Sequence, residues 1–213
     1  MPADGKLSRN SMMKVNPLDV VPAAEARTLW NAAVRPVATG LGFTPGRPAM
    51  RGWVRDAQPL AFSFLFQVTK YGFDRYSGGS FITEFHASDR SRATGVLFRM
   101  WSLLSDRGRV EFVQINSAVV SRLPGPSDAI VRALPESLRE TYLAGFRVSA
   151  DLPPQTADVW CRYATREDAV RWGAFIAANL EELVARCEQH LFQLEDGTQS
   201  LGGVVVNSPA KFV

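Results

Sequence analysis

Histidine, lysine and cysteine are scarce in this chain, and each scarcity removes a class of function. Two cysteines in 213 residues, Cys161 and Cys187, are too few for the disulfide framework of a small secreted domain. The two histidines, His86 and His190, would have to join both cysteines to make four metal ligands, and no C-x-x-C spacing brings two thiolates onto one ion. No run approaches the roughly 18 consecutive apolar residues of a membrane span. Nor does an apolar segment follow the charges of the opening MPADGKLSRNSMMKVN, so no secretory signal is read there. Of 24 cationic side chains only four are Lys and 20 are Arg, and 21 acidic residues are interspersed with them. The charge of +3 and pI of 9.1 thus come without a polybasic block. That balance permits nucleic-acid binding without indicating it. The excess of Arg fits the codon usage of a GC-rich genome as well as it fits bidentate recognition.

What is present is the composition of a folded domain: 46% hydrophobic and 21% charged residues. A chain of this length suits a single core. The expected organisation is a disordered leader over residues 1–16, with Met12 or Met13 as an alternative start, then one α+β domain over 17–192. A flexible or edge-adding tail follows over 193–213. A reduced, cytoplasmic protein without a cofactor is expected.

The stretch NPLDVVPAAEARTLWNAAVRPVATGLGF predicts a first helix opening at Pro22, with Ala26, Leu29, Trp30, Ala33, Val34, Val37 and Leu41 at three- and four-residue steps. Pro36 predicts a kink or break near Asn31 to Arg35, and Gly40 and Gly42 end the helix. Sheet signals follow. In LAFSFLFQVTK, Phe62, Phe64, Phe66 and Val68 share one face, and in SFITEFHAS, Phe81, Thr83 and Phe85 oppose Ile82, Glu84 and His86. The two segments should pair antiparallel. Residues 94–103 and 109–120 read as further strands joined at SDRGR, although the middle of 94–103 fits a helix as well, because short apolar runs are ambiguous. Two short helices split at Pro135, a strand in ADVWCRYAT, and a helix N-capped by Thr165 complete the pattern. That last helix carries a stripe of Ala169, Trp172, Gly173, Ile176, Leu180, Leu183, Val184, Cys187 and Leu191. The fold class is therefore α+β: a curved antiparallel sheet packed against the first helix and a long last one.

The order of NAAVRPVATGLGF, an aromatic strand near Trp53, FSFLFQVTKYG with Gln67, SFITEF and DVWCRYATREDAVRWGAFIAANLEELV resembles the bacterial domain-of-unknown-function family numbered 4304. The resemblance covers about two-thirds of the chain in outline. It implies a stand-alone bacterial α+β domain with no established activity, and so carries over no catalytic residues.

Candidate sites centre on TKYGFDRYSGGSFITEF. A phosphate-gripping loop must open onto a helix N-terminus, whereas SGGS opens onto a strand, so Gly78 and Gly79 read as turn residues supplying positive φ. Tyr71, Phe73, Asp74, Arg75 and Tyr76 have the mixed aromatic and charged composition of a protein-recognition surface. With Arg90 and Arg92 they also suggest base stacking, which Asp74, Glu84 and Asp89 oppose. No G-x-S-x-G is present for a nucleophile elbow. Glu84 and His86, two apart on one strand, form the alternative catalytic pair, for an uncharacterised hydrolase assisted by a nearby Arg. The leading expectation is a non-catalytic protein, such as an accessory or immunity protein, that binds another protein through the 71–79 loop and the sheet face. Nucleic acid is the less favoured partner, no membrane is involved, and oligomeric state is not legible.

Overall fold

The computed structural model describes residues 20–46, 52–69, 73, 76, 78–89, 94–144, 146, 149–153, 159–195 and 204–205. In chain order the elements are α1 (Ala23–Gly40), β1 (Thr44–Pro45), β2 (Gly52–Ala57), β3 (Leu60–Val68), β4 (Gly79–Asp89), β5 (Thr94–Arg99), α2 (Met100–Leu103) and α3 (Asp106–Val120). Then come α4 (Asp128–Ala133), α5 (Glu136–Ala144), β6 (Cys161–Tyr163), α6 (Arg166–Glu195) and β7 (Val204–Val205). The strands form one open antiparallel sheet in the order β1-β2-β3-β4-β5-β7, with β6 pairing the start of β4. The α+β expectation is met, with α1 and the long α6 against one face.

That face is built by the alternation expected from the sequence. Phe62, Phe64, Phe66, Phe81, Thr83 and Phe85 are all buried, and the register sets Phe64 opposite Phe85 and Phe66 opposite Thr83. Trp30 of α1 stacks on Phe81 at 3.9 Å between ring centroids and meets Tyr163 edge-on at 5.3 Å. Trp172 of α6 meets the same Phe81 at 5.9 Å. Burial of such side chains contributes about 1.5–3 kcal/mol each, so this aromatic layer supplies much of the stability. The two helices approach closely because position 173 is glycine; a Cβ there would lie 2.9 Å from Ala33 Cβ.

Two local expectations are corrected. First, α1 is unbroken from Ala23 to Gly40 with Pro36 inside it. Pro36 and Ala32, the residue whose carbonyl loses its donor, are both exposed, so water can serve that carbonyl. The helix then stops as expected at Gly42, whose φ of +81° allows Gly42 N–H to donate to Thr39 O and Phe43 N–H to Ala38 O. Second, residues 109–120 are the body of helix α3, not a strand. Ser105 caps it by accepting from Gly108 N–H, and Phe112, Ile115, Asn116 and Val119 are buried at helical spacing. Likewise 94–103 divides into β5 and the single turn α2.

The split at Pro135 falls between α4 and α5, as expected. The start of α6 is fixed by a reciprocal cap: Asp168 N–H donates to Thr165 Oγ1 at 3.3 Å while Thr165 N–H donates to Asp168 Oδ2 at 3.0 Å. The shorter Asp thus performs the role usually given to Glu, held in place by an ion pair to Arg122 in the turn after α3. Helix α6 continues to Glu195, past the loss of periodicity near Gln193, and Val204–Val205 pair with β5. The expected leader at 1–16 lies outside the described residues.

Candidate functional site

The opposite face of the sheet carries the other half of each strand's alternation. Two rows of residues cross it. Val54, Ser63, His86 and Leu97 are successive cross-strand partners on β2 to β5, and Gly52, Leu65, Glu84 and Arg99 form the next row. All eight are partly buried, so this part of the face is neither sealed like the aromatic one nor freely solvated, while Ser80 and Ile82 farther along β4 are buried. At its far end Arg162 of β6 lies 5.5 Å from the ring of Phe146, which packs on Tyr142 of α5.

Glu84 is the centre of a polar chain across three strands. One carboxylate oxygen pairs with Arg99, whose guanidinium also donates to Gln67 Oε1 at 3.0 Å, and the other lies 3.4 Å from His86 Nε2. Burial lowers the pKa of His86 below its ordinary value, so the ring is neutral at pH 7 and Nε2–H is the donor to Glu84. Both carboxylate oxygens are thereby engaged. A carboxylate held by a guanidinium is a weak base, and its chemical capacity here is to orient the imidazole and hold Arg99 in a fixed pose. Ser63 stands directly across from His86, but no hydrogen bond joins them among the described residues, so a nucleophile and base pair is not formed.

Of the residues singled out from sequence, Glu84 and His86 are brought together as the two-residue period requires. The period could not supply their partners Arg99 and Gln67, because the cross-strand register decides which distant residues meet. Phe73 is 37% exposed and Tyr76 is half-buried, while Tyr71, Asp74 and Arg75 lie outside the described residues, as do Arg90 and Arg92. The two glycines differ. Gly78 has φ +70°, as a turn residue should, whereas Gly79 sits in β4 because a Cβ there would come within 2.3 Å of the Tyr163 ring.

The quartet of cysteines and histidines does not converge. Cys161 and Cys187 are buried on the aromatic side, His190 lies 5.2 Å from Phe98 on that side, and His86 is on the opposite face. Among the described residues no group of three or more His, Cys, Asp or Glu side chains could share a metal ion. Burial raises both thiols, Cys187 to about 12 with the charge of Glu188 adding to it and Arg55 opposing, so neither is a nucleophile at neutral pH. No helix among the described residues is long and apolar enough to cross a membrane. The chain matches no protein-family model, no curated protein and no solved structure.

Proposed function

We propose that this chain is a non-catalytic, cytoplasmic bacterial accessory protein that recognises another protein through the open sheet face and the adjoining hairpin loop 71–79. One observation carries the reading. The chain Gln67, Arg99, Glu84 and His86 is paired internally across three strands beside the half-buried Leu65 and Leu97, on the face away from α1 and α6. A surface whose polar groups are already oriented loses little side-chain entropy on docking, and mixed polar and apolar character is typical of protein interfaces. Phe73, in the same hairpin, is an exposed large hydrophobic residue. A protein is favoured over nucleic acid because cationic and acidic residues are nearly balanced at 24 and 21. Placement in the family numbered 4304 belongs to the same proposal and rests on the shared order of helix, aromatic strands and strand-helix unit.

The test is capture of a partner from the native host on the immobilised full chain, with wild type compared against Leu65→Arg/Arg99→Glu and against Tyr71→Ala/Tyr76→Ala. Both double variants should lose the partner while keeping the wild-type circular dichroism spectrum. A partner retained by both, at wild-type yield, would reject the reading. The 3.4 Å approach of His86 to Glu84 supports a second reading, a hydrolase with His86 as base. That reading requires turnover of an ester, amide or phosphate substrate that disappears in His86→Ala and falls in Glu84→Gln.

A further inference from the structure

The main strand order, β1 through β7, ends on both sides in a strand of two residues, but by different means. At one edge β1 contributes Thr44 and Pro45, and proline has no N–H with which to extend a ladder. At the other, β5 is six residues long and reads Thr94-Gly95-Val96-Leu97-Phe98-Arg99. It has no proline, and its one charged residue, Arg99 at the end, is occupied by Glu84 and Gln67. None of the usual protections against edge-to-edge pairing is built into it. Its outer side is instead met by β7, with Val205 opposite Val96 and Val204 opposite Leu97.

Those two positions have a geometric meaning. Two copies of an edge strand pair antiparallel about a twofold axis normal to the sheet, and facing residues must then point to the same side. For β5 the central registers place Val96 opposite Val96, or Leu97 opposite Leu97, of the second copy. Strand β7 sits on both centres. We propose that β7 is a guard supplied by the chain itself, and that the β5 edge, once opened, is a docking surface for the β5 edge of a second copy. The partner is a second copy because the twofold sets the apolar Val96 or Leu97 against its own counterpart and brings no like charges together at the centre.

Sedimentation velocity on the full chain over a wide concentration range tests this, comparing wild type with Val204→Pro/Val205→Pro, which cannot hold the β7 ladder. Wild type should remain at the 23.5 kDa monomer mass. The double variant should shift with concentration toward twice that mass. Adding Leu97→Lys to the double variant, which sets like charges facing or near each other across the twofold, should return it to monomer and so separates edge pairing from general aggregation. The proposal is overturned if wild type already dimerises, if the proline variant stays monomeric at every concentration, or if Leu97→Lys leaves its association unchanged.

Discussion

The two faces of this sheet are made by the same strands from alternate residues, yet they obey different rules. On the helix side Phe64, Phe66, Phe81 and Phe85 interlock with Trp30 and Trp172, and nearly every contact is apolar. On the other side Glu84, His86, Arg99 and Gln67 satisfy one another while remaining partly open to solvent. The first face is where folding free energy is concentrated. The second contributes little to stability and presents chemistry. A substitution should therefore have consequences that depend on which side of the strand it falls, even for neighbouring residues.

The largest effect should come from Trp30→Ala, which empties the space between Phe66, Phe81 and Tyr163; a loss of about 3–5 kcal/mol in denaturant unfolding is expected. Gly79→Ala should follow at about 1–3 kcal/mol, because the added methyl meets the Tyr163 ring and β4 or β6 must shift. On the open face, a double-mutant cycle between Glu84 and Arg99 should give a coupling of only about 1 kcal/mol, since both side chains remain in contact with water. A coupling as large as the loss at Trp30 would erase the distinction between the faces.

One residue tests the contrast from within. Thr83 is fully buried on the aromatic face and its hydroxyl has no hydrogen-bond partner among the described residues. Thr83→Val should be neutral or stabilising by up to about 1 kcal/mol, because it removes a desolvated polar group and keeps the shape. The smallest effect is expected from pH. The folded-state pKa of His86 is depressed by burial, so between it and the unfolded value of 6.5 the unfolded chain binds more protons. The contribution is fully present above pH 6.5 and is lost as pH falls through the folded pKa. Melting temperatures recorded across that interval should lose the corresponding slope in His86→Gln.

Much of this was legible in the amino-acid order. The Phe alternation of β3 and β4 and the stripe on α6 are local periodicities that the tertiary structure simply adopts. Residues 109–120 look like a strand in sequence because Val110, Phe112, Val113, Ile115 and Val119 are β-prone, and SDRGR looks like a turn. The better signals were Ser105 as cap and the 112, 115, 116, 119 spacing, which is helical. Pro36 misled in the other direction, since the cost of an interior proline depends on exposure that sequence does not report. The open-face cluster was half legible. Glu84 and His86 share a face by strand period alone, but Arg99 joins them only through the β4–β5 register, and Gln67 only through β3–β4. Fixing the register needs the hairpins closed first.

The most direct test of the account is to map the bound partner by amide chemical-shift perturbation on the isotopically labelled chain. Perturbations should gather on Leu65, Gln67, Glu84, His86, Leu97 and Arg99, together with Phe73 and its loop, and spare the exposed residues of α1, α3 and α6. A footprint centred on those helices, with the open face unmoved, would contradict it.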